Sequence, residues 1–176
     1  MTTAIAWRRD GVSHLAADRK GTNFDGQTFE LVVSKVIQVT DWLTVAMAGG
    51  AKSMRWVRSA KPPKDTPTDA ASAAAIAEAW LSEIFRKHEN YQPENPHHMD
   101  SVAVLATPWW VATADPEGTL LPVADGALAV GSGGAFALGA YEAGLGIDGV
   151  FMVAARLDNH TSARYDVVHH APPEAP

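Results

Sequence analysis

The chain contains no cysteine. That excludes a disulfide framework and any thiolate metal site, and it suits a reducing, cytoplasmic setting. Charge is also sparse: 19% of the 176 residues are Asp, Glu, Lys or Arg, and the net charge is −6. No Lys/Arg run follows a helix face, so the phosphate neutralisation that drives nucleic-acid binding has no footprint here. Long apolar runs are missing as well. Arg8, Arg9 and Asp10 interrupt the N-terminal stretch where a secretory leader needs an apolar one. No uninterrupted run reaches the roughly 18 residues of a membrane helix, and the longest mild stretch, Ala127 to Ala143, is built from Gly and Ala. There is no internal repeat. What remains is a hydrophobic content of 47%, ordinary for a globular protein, in a chain long enough to bury a core. It reads as a single domain over residues 1–170 with a short tail over 171–176.

The chain opens Met1-Thr2-Thr3. Initiator methionine is usually removed when the next side chain is small, and Thr2 qualifies. A free N-terminal threonine carries a hydroxyl and an α-amine whose pKa is about 7.7–8.0. Near neutral pH one residue can then supply both nucleophile and general base.

Patterning divides the chain into strands, two helices, strands, two helices and a last strand. Thr3–Arg8 alternates, Asp10-Gly11 signals a hairpin turn, and Val12–Ala17 resumes. Gly21 and Asp25-Gly26 mark a loop. Lys35–Val39 and Trp42–Ala48 are apolar β-rich runs that turn at Thr40-Asp41. A helix is expected from Gly50 to Ala60, with Met54, Trp56 and Val57 inward, and the Pro-rich segment from Lys61 to Pro67 breaks it. Thr68 or Asp69 then caps a helix running to about His88. Its apolar stripe is Ala73, Ile76, Ala77, Trp80, Leu81, Ile84 and Phe85. Tyr91 to Asp100 reads as a loop. Ser101–Ala106, Trp109–Thr113, Thr119–Pro122 and Ala127–Val130 read as strands, the last ending in Gly131-Ser132-Gly133-Gly134. A small-residue helix covers Ala135–Ala143, Asp148 caps a second over Gly149–Arg156, and Val167-Val168 belongs to a last strand. Segregated runs of this kind predict an α+β fold with sheets packed under helices, not alternating βαβ units.

Four features line up with Thr2. Asp18 ends the strand Leu15-Ala16-Ala17, and Lys35 opens another within Ser34-Lys35-Val36. Met47-Ala48-Gly49-Gly50-Ala51 and Gly131-Ser132-Gly133-Gly134 are two glycine-bearing strand-to-helix junctions. In this order and spacing, the set resembles the proteasome β-subunit family, including its bacterial HslV branch, which are N-terminal nucleophile (Ntn) hydrolases. The resemblance extends from Thr2-Thr3 to Asp158-Asn159-His160-Thr161. It implies a four-layer α-β-β-α sandwich of two mainly antiparallel sheets covered by helices.

It also implies roles. Thr2 matches the catalytic N-terminal threonine. Lys35 matches the lysine beside its hydroxyl, whose positive charge favours the alkoxide, and Asp18 matches the carboxylate that holds this lysine. Gly49 matches the glycine whose backbone N–H forms the oxyanion hole, where one donor is worth roughly 2.7–4 kcal/mol. Ser132 matches a serine that relays the amine proton. Asp158 and Thr161 stand where an Asp and a Ser orient the amine, so Thr161 adds a methyl to the family pattern. Thr22, Ala48 and Ala51 match substrate-channel positions, where an extended substrate pairs as an added strand. Lys20 belongs to the same substrate-binding set and stands where many members carry an arginine, whose fork of donors it lacks. Plainer roles stay open for three of these: a structural ion pair for Asp18–Lys35, an ordinary turn for Gly49 and a helix N-cap for Ser132.

The implied activity is that of a threonine endopeptidase acting on unfolded polypeptide inside stacked rings of identical subunits, without a cofactor. An AAA+ unfoldase is the family's expected partner, and no residue here specifies one. Two other readings remain: a non-catalytic proteasome-like shell or binding protein in which a retained Met1 acylates the amine of Thr2, and an amidase acting on small molecules. His97-His98 and His169-His170 lack the i,i+4 spacing of a zinc helix, so no metal site is expected.

Overall fold

The computed structural model describes residues 2–23, 25–92, 95–99 and 101–172. Met1, whose removal the Thr2 chemistry requires, lies outside the described residues, as do residues 173–176 of the expected tail. In chain order the first elements are β1 (Thr3–Arg9), β2 (Val12–Asp18), β3 (Lys20–Thr22), β4 (Thr28–Glu30), β5 (Val36–Gln38), β6 (Thr44–Gly49), α1 (Ala51–Ser59) and α2 (Ala70–Lys87). Then follow β7 (Tyr91–Gln92), β8 (Asn95–Met99), β9 (Ser101–Ala106), β10 (Val111–Ala114), β11 (Leu120–Val123), β12 (Gly126–Gly131), α3 (Gly134–Glu142), α4 (Ile147–Leu157) and β13 (Tyr165–His170).

Two antiparallel sheets face each other. One runs β12-β1-β2-β13 and the other β11-β10-β9-β6-β5. The period-2 alternation of β1 and β2 explains the first. Ala4, Ala6, Leu15 and Ala17 point between the sheets, where they meet Val36, Ala46, Val104, Ala106 and Val111. Ile5 and Ala16 point the other way, under Ala137 and Ala140 of α3 and Val150, Phe151 and Ala154 of α4. The outer face of the five-stranded sheet is covered by α1 and α2. The result is the expected α-β-β-α sandwich.

Six of the seven α2 stripe residues, Ala73, Ala77, Trp80, Leu81, Ile84 and Phe85, are buried as the spacing predicts, and Ile76 is half-buried against the same core. Each large apolar side chain buried this way contributes about 1.5–3 kcal/mol. Asp69 caps α2, accepting the Ser72 N–H at 2.8 Å, with Ser72 completing a capping box. Trp80 Nε1–H donates to the Lys61 carbonyl at 2.9 Å and so ties the Pro-rich connection to α2.

Several local expectations are corrected. The loop expected around Gly21–Gly26 carries the small β3–β4 hairpin, and the loop expected over Tyr91–Asp100 contains β7 and β8. Asp148 does not cap α4. The cap is Gly146, in extended geometry, so the helix starts two residues earlier than expected and Asp148 sits in its first turn. A carboxylate there still favours the helix dipole, and it accepts the Tyr165 hydroxyl at 2.7 Å. Ser132 is not an N-cap either: Gly133 holds that position for α3, with no side-chain cap.

Candidate active site

The hairpin β1–β2 carries Thr3 at one strand start and Asp18 at the other strand's end. Asp18 is fully buried, as is Lys35 just before β5. The Lys35 ammonium donates to Asp18 Oδ1 at 2.8 Å, and the Thr3 N–H donates to the same oxygen at 2.8 Å. The other oxygen, Oδ2, accepts the N–H groups of Lys20 at 2.8 Å and Ser162 at 3.1 Å. The ammonium and the Thr2–Thr3 peptide therefore share one carboxylate oxygen. Burial pushes Lys35 below its ordinary pKa, and the charge and hydrogen bond of Asp18, with a smaller contribution from Glu30, oppose that only in part.

A second carboxylate lies on the other side of Thr3. Asp158 ends α4, and its Oδ2 accepts the hydroxyls of Ser132 at 2.7 Å and Thr161 at 2.6 Å. Its Oδ1 accepts the His160 N–H at 3.1 Å. Burial pushes this carboxyl up, but the hydrogen bonds from Thr161, Ser132 and His160 outweigh burial and hold it below its ordinary value. Thr161 Oγ1 lies 2.5 Å from Thr3 Oγ1. Thr3 thus joins the two carboxylates, through its backbone to Asp18 and through its hydroxyl to Asp158.

A cavity of about 250 Å³ opens beside Thr2, between Ala48-Gly49 at the end of β6, Ser101-Val102 at the start of β9 and Gly131-Ser132 at the end of β12. Two larger grooves lie elsewhere, over α2, and neither touches Thr2 or its partners. The glycines at the junction after β12 are required by space. A Cβ on Gly131, at φ 96°, would stand 1.7 Å from the Thr2 carbonyl oxygen, and one on Gly133 would stand 2.3 Å from Thr3 Oγ1.

Most sequence-expected residues converge here. Thr2, Gly49, Ala48 and Ser132 line the cavity, and Asp18, Lys35, Asp158 and Thr161 form the networks around it. Thr22 and Ala51 are not in the cavity wall. Thr22 Oγ1 instead meets His160 Nδ1 at 3.3 Å, and Ala51 opens α1. The Lys20 ammonium donates to the carbonyls of Asn159 at 2.9 Å and Thr161 at 3.2 Å, so it holds the loop that follows α4. Thr3, Ser162, Gly131 and Gly133 were not singled out in the sequence as site residues. The doubled threonine and the Thr161-Ser162 pair were the visible signals for the first two.

No family profile and no curated relative matches the chain in sequence. Solved structures do match in shape. Eukaryotic HslV from Trypanosoma brucei superimposes with a TM-score of 0.72 at 19% identity, covering 97% of this chain and 99% of that one. BPH of Thiobacillus denitrificans gives 0.74 at 21% identity, covering 99% and 100%. The same protein in complex with epoxomicin gives 0.73 at 21% identity, covering 98% and 100%. Matches of this extent, with the two-sheet sandwich already described, show that the chain has the fold of HslV and BPH.

Proposed function

We propose that the protein is a threonine peptidase in which Thr2, exposed by loss of Met1, is the nucleophile. The observation that carries this reading is the buried Asp18–Lys35 pair sharing a carboxylate oxygen with the Thr2–Thr3 peptide. A fully buried lysine is costly, and a buried ion pair is weak grounds for stability alone. A pair kept beside a potential nucleophile serves chemistry better than it serves folding.

In the proposed reaction Thr2 Oγ attacks a peptide carbonyl, and the hydroxyl proton passes to the Thr2 α-amine, with the Lys35 charge favouring the alkoxide. The C–O bond forms, the oxyanion is held by the Gly49 N–H, and the C–N bond breaks as the departing amine takes the proton. Water then hydrolyses the acyl ester and regenerates Thr2. The Asp158, Ser132 and Thr161 cluster orients the amine and relays its proton. The cavity at Ala48 and Gly49 receives an extended chain, paired as an added strand. We further propose that the peptidase acts on unfolded polypeptide within stacked homo-oligomeric rings in the cytoplasm, fed by an AAA+ unfoldase.

The test is intact mass measurement of protein from its own host, before and after exposure to epoxomicin, the compound bound by the BPH neighbour. The expected result is a mass lacking Met1 and a single adduct on Thr2, with Thr2→Ala abolishing both the adduct and peptide hydrolysis. A chain that keeps Met1 and takes no adduct would favour a non-catalytic shell and end this reading.

A further inference from the structure

Outside the residues assigned above, β9 and α1 bring two buried hydroxyls against the turn that carries Gly49. Ser101 stands directly opposite Gly49 in the β6–β9 ladder and reaches the wall of the Thr2 cavity. Its hydroxyl donates to Ser53 Oγ at 2.5 Å, and the Ser53 hydroxyl donates onward to the Gly50 carbonyl at 2.6 Å. The Ser53 N–H reaches the same carbonyl at 3.2 Å. Both serines are sealed from solvent, at 0% and 2% exposure. Hydrogen bonds that run donor to acceptor along one chain polarise and strengthen each other in such a setting.

The turn needs this support. Gly49 sits at φ 139° and Gly50 at φ −70°, ψ 148°, two adjacent residues with no Cβ to restrict them. Gly50 caps α1 without a side-chain hydrogen bond of its own. The backbone that must aim the Gly49 N–H therefore has two adjacent residues without a Cβ, and the Ser101–Ser53 chain grips the Gly50 carbonyl.

We propose that Ser53 and Ser101 are positioning residues for the oxyanion hole, holding the Gly49–Gly50 turn so that the Gly49 N–H keeps its aim. The inference rests on the peptidase reading, and neither serine touches the reacting atoms. Loss of the relay loosens the donor without removing it, so catalysis falls while substrate affinity holds.

Wild-type assembly is compared with Ser53→Ala, Ser101→Ala and the double variant. Ser59→Ala serves as control, because Ser59 makes the same kind of hydroxyl-to-carbonyl bond, to Arg55 at 2.7 Å, at the far end of α1. Each relay variant should lose roughly tenfold in kcat with KM unchanged, short of the roughly hundred- to thousandfold cost of losing a donor outright. The double variant should be little worse than the singles, since the two act in one chain. Affinity for a peptide boronate, whose tetrahedral adduct places an oxygen in the hole, should fall in parallel. Amide exchange at Gly49 and Gly50 should quicken in the relay variants and stay unchanged in Ser59→Ala. Wild-type kcat in the double variant, an effect confined to KM, or an equal loss in Ser59→Ala would overturn the proposal. If the wild type itself shows neither hydrolysis nor a Thr2 adduct, the peptidase reading has failed instead. Exchange then still judges the hold on the turn, and unchanged protection in the double variant sinks it.

Discussion

Asp18 and Asp158 are both buried against Thr3, yet they are satisfied in opposite ways. Asp18 takes a full cation and three backbone N–H groups. Asp158 takes two hydroxyls and one N–H, and its carboxylate sits at the C-terminal end of α4, where the helix dipole disfavours negative charge. The first arrangement fixes a charge in place, since three of the four partners are backbone N–H groups. The second is built from rotors. The Thr161 hydroxyl donates to Asp158 Oδ2, so the Thr3 hydroxyl donates to Thr161 Oγ1, and the two form a directed chain from Thr3 to the carboxylate. One region stores an electrostatic field and the other offers a path.

Removing a partner should expose that difference. Lys35→Ala strands the Asp18 charge in the interior and should cost roughly 3–5 kcal/mol, the range for breaking a buried pair from one side, as read by denaturant unfolding. Asp158→Asn keeps shape and loses only charge-assisted hydrogen bonds, so the same measurement should show about 1.5–3 kcal/mol. Equal costs would mean that the cation does nothing special for Asp18, and the contrast between the two regions would collapse.

The pH dependence separates them next. Asp158 titrates below its ordinary 3.8 when folded, so as pH falls the unfolded chain takes up the proton first. Its contribution is complete above 3.8 and is lost as pH drops through the folded value. Lys35 titrates below its ordinary 10.5 when folded. Between the two values the unfolded chain holds a proton that the folded one lacks, so stability rises with pH across that window. Lys35→Ala should flatten the alkaline rise, and Asp158→Asn should flatten the acid fall and leave the alkaline rise in place. An alkaline rise that survives Lys35→Ala, or one that Asp158→Asn removes, would break this separation.

Both halves of this comparison were named in the sequence, Asp18 with Lys35 and Asp158 with Ser132 and Thr161, but Thr3, which joins them, was not. Asp18 and Lys35 are long-range partners, but each ends or begins an apolar run, and a charge at such a boundary stands out. The α2 stripe was readable for the same reason, because helical spacing and an Asp69 cap are local signals. Lys20 read as a substrate residue because it stands where many members of the resembled family carry an arginine; its ammonium also holds carbonyls some 140 residues away, a contact that no local pattern encodes. Ser132 read equally well as a helix cap, since cap and relay ask for the same hydroxyl beside the same glycines. The β3–β4 and β7–β8 hairpins were missed because strands of two to five residues, broken by Gly or Pro, carry too little alternation to register.

Thr3 offers the smallest and most selective test. Thr3→Val preserves the branched shape and the backbone N–H to Asp18, and it removes only the hydroxyl that meets Thr161. One neutral hydrogen bond is worth about 1 kcal/mol, so thermal unfolding should shift modestly. If Thr3 serves only the Asp158 path, the alkaline stability slope set by Lys35 should survive intact while hydrolysis slows. Combining Thr3→Val with Asp158→Asn should then cost less than the sum of the singles, because both variants interrupt one network. Combining it with Lys35→Ala should be additive, because the valine leaves Asp18 with every partner it had. Additivity with Asp158→Asn and coupling with Lys35→Ala would reverse the assignment and make Thr3 part of the charged region.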